Sequence, residues 1–160
     1  MRIYLACTVR GHRESLPCVR ALFDGLARHG HDVLTGHLLS DDVEQVEAAL
    51  SDQAVYERDM QWLGSCDALV AEASGSSYGV GFEVGSVLAA SERTGQRVYV
   101  LYDATRRGSI SRLISGNTHP RCVTLGYRGV EDVEAFVERE FGERSRGPEV
   151  PRSEDEVRRR

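Results

Sequence analysis

The chain has 160 residues, 41% hydrophobic and 28% charged, which suffices for one globular domain with a sizeable core and is too little for two of ordinary size. Its formal net charge of −5 offers no basic face to neutralise a phosphate backbone, so a nucleic-acid polymer is excluded as the expected partner, while a small anion held by local arginines and helix ends is not. No stretch approaches the roughly 18 apolar residues of a membrane span. Cys7, Cys18, Cys66 and Cys122 are widely spaced, with no C-x-x-C pair and no histidines at zinc-finger spacing. They read as free thiols in a reducing compartment, and the expectation is a soluble, cytoplasmic protein away from membranes.

In chain order, the first apolar run is "IYLACTV" (3–9). It lacks strict alternation, which suits a strand covered on both faces. Leu16, Val19, Leu22, Phe23 and Leu26 then recur at helical spacing and stop before Gly30, a suitable C-terminal cap. A weaker strand candidate, "DVLTGHL" (32–38), follows, and then a helical stretch "AVYERDMQWLGSC" (54–66). "ALVAEAS" (68–74), "RVYVLYD" (97–103) and "RCVTLGY" (121–127) are further strand runs, separated or followed by helical patterns at Val84, Val87 and Leu88 and at Val130, Val133, Phe136 and Val137. Strands alternating with helices predict an α/β fold, a doubly wound sheet of about five parallel strands with helices on both faces. Ligands of such sheets sit beyond the C-terminal strand ends. From 143 onward, prolines and charges replace apolar residues, and 143–160 reads as a disordered charged tail.

"GSSYGVGFEVGS" (75–86) lies between a buried strand and a helical pattern. Glycines there let the backbone turn tightly and let its N–H groups approach a phosphate, with the positive end of the helix behind them. Glu83 is expected in the first helical turn, where the dipole favours its ionised form. It is either a nucleophile beside a phosphate pocket or a carboxylate that satisfies free amides at the helix start. The glycine spacing is not the dinucleotide fingerprint, which would also follow the first strand rather than the third strong run.

On a helical wheel of 54–66, Val55, Tyr56, Met60, Trp62, Leu63 and Cys66 share one arc and Asp59 falls within it. Glu57, Arg58, Gln61, Gly64 and Ser65 form the opposite, polar face. An inward aspartate must be hydrogen-bonded, paired or used, and a loop-capping role stays open. Two inward carboxylates suit chemistry at a sugar anomeric carbon, where one attacks or stabilises the oxocarbenium-like centre and the other handles the proton. Thr8, Arg10 and Arg13 follow the first strand, where a hydroxyl and two guanidiniums can converge on a phosphate. Tyr4 sits mid-strand, a core position whose hydroxyl needs a partner.

"YLACTVRGHRE", "YERDMQWLGSCDALVAEASGSSYGVGFEVGSVLA" and "SRLISG", in that order, resemble the 2'-deoxynucleoside 5'-phosphate N-hydrolases of the nucleoside 2-deoxyribosyltransferase superfamily, over residues 2 to about 141. The resemblance implies a flavodoxin-like catalytic domain over 1–142 that cleaves the N-glycosidic bond of a deoxynucleoside monophosphate, releasing free base and 2-deoxyribose 5-phosphate without metal or organic cofactor. By position, Glu83 matches the nucleophile, Asp59 the acid/base partner and Tyr4 a tyrosine beside the nucleophile and the sugar 2' position. Thr8, Arg10, Ser77 and Gly79 match phosphate contacts. Ser111 matches a serine that reaches the neighbouring subunit's phosphate, which implies a homodimer with shared sites. His37 matches a histidine near the site. Cys7, Thr8, His12 and Phe82 depart from the usual glycine, serine, glycine and tyrosine, and the segments 11–16 and 39–53 are expected to shape the base pocket. Alternatives are a transferase that exchanges bases, a ribonucleotide N-glycosidase, and a non-catalytic nucleotide-binding module.

Overall fold

The computed structural model describes residues 1–8, 14–40, 43–75 and 77–142. Arg10, Arg13 and His12, and the expected tail at 143–160, lie outside them. Five strands form one parallel sheet: β1 (Arg2–Ala6), β2 (Asp32–Val33), β3 (Ala68–Glu72), β4 (Arg97–Asp103) and β5 (Cys122–Tyr127), in the order β2-β1-β3-β4-β5. This is the flavodoxin-like strand order, whose switch point lies between β1 and β3. The helices are α1 (Leu16–Arg28), α2 (Val43–Ala48), α3 (Asp52–Ser65), α4 (Tyr78–Thr94), α5 (Arg112–Ser115) and α6 (Val130–Phe141), with short 3-10 turns at Gly36–Leu39 and Ala104–Ser109.

Side chains of a strand alternate between faces, and the core divides accordingly. Ile3, Leu5, Ala68, Val70, Tyr99 and Leu101 pack under α1 and α6 with Leu22, Leu26, Val133 and Phe136. Tyr4, Ala6, Leu69, Ala71, Val98 and Val100 face the other way, against Leu63 of α3 and Val80, Val84 and Val87 of α4. Parity along β1 therefore delivers Tyr4 to the layer built by α3 and α4.

The weaker strand candidate contracts to two residues because a side chain takes over the ladder. Leu34 N–H still donates to Ile3 O at 2.9 Å. The buried Thr35 hydroxyl then accepts from Leu5 N at 3.0 Å and donates to Leu5 O at 2.6 Å. Both polar groups of Leu5 are satisfied without further strand, and the chain is free to turn into Gly36–Leu39. At the end of α1, Gly30 has φ 74°, the left-handed position that stops the helix there.

Candidate active site

Three elements converge at the C-terminal end of the sheet on the α3/α4 side. Ser77 caps α4, its Oγ accepting from Val80 N at 3.4 Å. The helix consequently starts at Tyr78, and Glu83 lies in its second turn. This corrects the expectation of a first-turn carboxylate favoured by the dipole, an effect that fades beyond the first turn. Gly79 and Gly81 are likewise helical rather than part of a turn, and neither has positive φ. A Cβ at Gly81 would meet nothing within 4 Å, and one at Gly79 only Ser77 Oγ at 3.5 Å. Their contribution is to leave the first turn of α4 bare, so that a ligand can approach its N–H groups.

Tyr4 is 2% exposed, and its hydroxyl donates to Glu83 Oε1 at 2.7 Å. Burial pushes the Glu83 carboxyl above the ordinary carboxylate range; the Tyr4 hydrogen bond pulls it back, and the charge of Asp59 raises it again. Tyr4 itself is held protonated, first by burial and then by the charge and hydrogen bond of Glu83 and the charge of Asp59, with Arg58 acting in the opposite sense. Glu83, Asp59 and Tyr4 thus form one electrostatically coupled group.

Beside them opens a cavity of 660 Å³ lined by Ser77, Gly79, Val80 and Glu83 from the α4 side and by Leu50, Asp52, Val55 and Tyr56 from the other, with Cys7 among them. One side presents the start of α4 with the Ser77 hydroxyl, the other Leu50, Val55 and the Tyr56 ring with the Asp52 carboxylate among them, a division that suits a ligand with an anionic head and a flat ring that carries polar edges. Asp59 does not line this cavity. It stands one turn beyond Val55 and Tyr56 on α3, half-buried, its Oδ1 accepting from Arg58 Nε at 2.9 Å. Two assignments on the α3 wheel are corrected: Tyr56 is 57% exposed with its ring 6.5 Å from that of Phe82, and Arg58 turns back over Trp62 instead of projecting into solvent.

The remaining expected contacts are dispersed. Thr8 Oγ1 is buried and has no hydrogen-bond partner among the described residues; it lies so close to Gly75 that a Cβ there would be 2.0 Å away. Ser111 does not line the Glu83 cavity. It lines an adjoining one of 420 Å³ with Tyr78, Leu113 and Ile114, and the two cavities share Ser77 and Val80. The ring of His37 packs on Trp62 at 5.5 Å between centroids, and His37 does not line the Glu83 cavity. Asp52 was not singled out in sequence, but it falls with Leu50 in the segment 39–53 expected to shape the base pocket, directly after the Ser51 cap of α3.

Glu72, the last residue of β3, is fully buried. Its Oε1 accepts from Ser74 N at 3.1 Å, from Ser74 Oγ and from Tyr127 Oη at 2.9 Å. Ser74 Oγ in turn accepts from Asp103 N at 2.7 Å. This network ties the loop leading into α4 to the ends of β3, β4 and β5. None of the four cysteines is in a disulfide. Among the described residues no helix is long and apolar enough to cross a membrane, and no three His, Cys, Asp or Glu side chains come together to hold a metal.

The family model described as nucleoside 2-deoxyribosyltransferase matches residues 3–135. The chain belongs to the nucleoside 2-deoxyribosyltransferase family. Within it, a Thermofilum pendens protein whose name classes it with the 2'-deoxynucleoside 5'-phosphate N-hydrolases is 38% identical over 132 residues, 82% of this chain and 89% of the relative. The mouse 5-hydroxymethyl-dUMP N-hydrolase is 31% identical over 141 residues, 87% of this chain and 79% of the relative. Among solved structures, the CMP N-glycosidase of Clostridium botulinum superposes with a TM-score of 0.62 at 16% identity, covering 87% of this chain and 98% of that one, a likeness of fold.

Proposed function

We propose that this member of the nucleoside 2-deoxyribosyltransferase family is a nucleotide N-glycosidase, a hydrolase that splits 2'-deoxynucleoside 5'-monophosphates into free base and 2-deoxyribose 5-phosphate. The observation that carries the proposal is the Tyr4 to Glu83 hydrogen bond at 2.7 Å beside a cavity that also contains the start of α4. A phosphate at Ser77 and Gly79 and a base against Leu50, Val55 and Tyr56 place the intervening sugar over Glu83. The ionised carboxylate attacks C1' as the bond to the base breaks, giving a glycosyl-enzyme ester, and water then cleaves that ester. Asp59 serves the proton transfers. Thr8, Arg10 and Arg13 complete the phosphate site in this reading. The names of the relatives support the substrate class.

A homodimer belongs to the same proposal. Tyr78 is 99% and Leu113 85% exposed, and they line the cavity that holds Ser111. A second copy covering this apolar patch would bring its Ser111 towards the phosphate end of the site.

The test is to incubate the purified protein with each deoxynucleoside monophosphate, the matching nucleosides and CMP, and to measure free base, with and without a second base as acceptor. Release from deoxynucleotides but not nucleosides is expected. Exchange without net release would make the chain a transferase, preference for CMP a ribonucleotide N-glycosidase, and binding without release a nucleotide-binding module.

A further inference from the structure

Arg58 precedes Asp59 on α3, and adjacent residues of a helix point about 100° apart. Their contact therefore requires Arg58 to fold back along the helix. It does so under constraint: Nε donates to Asp59 Oδ1 at 2.9 Å, and the guanidinium lies over the Trp62 ring one turn on, 4.9 Å from its centroid. Trp62 is in turn packed against His37. Only about a fifth of the Arg58 side chain and a quarter of that of Asp59 is exposed.

Stability alone is a weak reason for this arrangement. Ordering an arginine side chain costs up to about 2 kcal/mol of rotamer entropy, which a partly exposed ion pair at about 0 to 1 kcal/mol and one cation–π contact at about 0.5 to 2 kcal/mol offset with little surplus. The electrostatics of the site supply a stronger one. The Tyr4 phenol is hydrogen-bonded to Glu83, the charge of Asp59 acts on both, and among the described residues Arg58 is the cation whose charge reaches Tyr4. Among those residues the only hydrogen bond to the Asp59 carboxylate comes from Arg58, and it engages Oδ1. Oδ2 is left for the reaction.

We infer that Arg58 is a positioning residue that acts through Asp59, fixing the orientation of its carboxylate and balancing its charge against Glu83. This rests on the proposed N-glycosidase reading. Arg58 touches no reacting atom in this scheme, so its removal affects the chemical step rather than substrate binding.

The experiment is a double-mutant cycle on base release from the preferred monophosphate. Asp59→Asn is expected to lower kcat by about 10² to 10⁴. Arg58→Gln alone should lower kcat by about 10 to 100-fold with KM changed less than about threefold, and Arg58→Lys, which keeps a cation, should regain part of that loss. In the Asp59→Asn background, Arg58→Gln should cost less than about twofold, because the group it acts through is gone. A structural role would instead multiply the two losses and lower the Tm in both backgrounds. Multiplied losses, an undiminished kcat in Arg58→Gln, or a lysine variant no better than glutamine overturns the inference. A parent protein that releases no base from any monophosphate overturns the proposed function, and the role of Arg58 with it.

Discussion

Tyr4 Oη and Glu83 Oε1 lie 2.7 Å apart although 79 positions separate them in sequence. The pleat of β1 turns Tyr4 towards α3 and α4, and the early cap at Ser77 puts Glu83 in the second turn of α4, directly over it. Away from the helix dipole, the carboxyl is governed by burial, which raises its proton affinity, and by this hydrogen bond, which lowers it.

A nucleophile must be ionised, so activity rises as pH passes upward through the Glu83 pKa. Tyr4→Phe removes the group that favours the carboxylate. The acid limb of kcat/KM should move to higher pH, and the rate at neutral pH should fall by about tenfold or more. A limb that stays in place with a lowered plateau would mean that Tyr4 serves the substrate rather than Glu83.

The same raised pKa has a consequence for stability. Below the unfolded-state pKa both states hold the proton and nothing is lost. As pH rises, the unfolded chain releases its proton while the folded one retains it, so stability declines until the folded pKa is passed. Glu83→Gln removes this penalty. The variant should melt higher than the parent at pH 7, with the gap narrowing towards pH 4, while base release falls at least about a thousandfold. Thermal scans at the two pH values and one turnover assay check both halves.

Much of this layout was legible in the sequence because apolar runs without alternation and helical spacing are direct records of two-sided and one-sided burial. The runs at 68–74 and 97–103 became β3 and β4 almost unchanged. Elsewhere local chemistry overrode pattern. The Thr35 hydroxyl replaces strand backbone, which a hydrophobicity pattern does not register. Gly79 and Gly81 suggested a turn, whereas the Ser77 cap starts the helix ahead of them. A wheel assigns directions to Cβ atoms only, so the outward Cβ of Arg58 gave no sign that four further bonds would carry its guanidinium back onto Trp62.

Gly75 sets how closely its loop approaches β1. A Cβ there would sit 2.0 Å from Thr8 Oγ1 and 2.7 Å from Thr8 Cβ, so Gly75→Ala must displace the threonine. If Thr8 contacts the phosphate, KM for the monophosphate should rise by about tenfold or more, corresponding to a lost charge-assisted hydrogen bond. Release from the nucleoside should be no worse than in the parent. Equal losses on both substrates would separate Thr8 from the phosphate.

Leu113 is a strong test of the proposed dimer because it is 85% exposed and contributes to no described core cluster. Leu113→Glu should leave the Tm of a lone domain intact while placing a charge in the apolar patch with Tyr78. Light scattering should report a dimer for the parent and a monomer for the variant, with activity falling alongside. A variant that stays dimeric and active would place the interface elsewhere.

The Glu72 network makes a prediction of the opposite kind, a loss of stability without a loss of chemistry. Tyr127 Oη donates to Glu72 Oε1 at 2.9 Å in a fully buried setting, and neither residue lines the Glu83 cavity. Tyr127→Phe keeps the ring in the core, where Tyr127 is 3% exposed, and deletes only the donor. Removing one partner of a buried acceptor costs about 1 to 3 kcal/mol, so Tm should fall by about 2 to 10 °C. Ser74 still donates twice to the same oxygen and keeps the loop before α4 in place. Well below the lowered Tm, kcat and KM should therefore stay within about twofold of the parent. A large kcat loss at full folding would instead show that the carboxylate steers α4, and with it Glu83, through the loop it anchors.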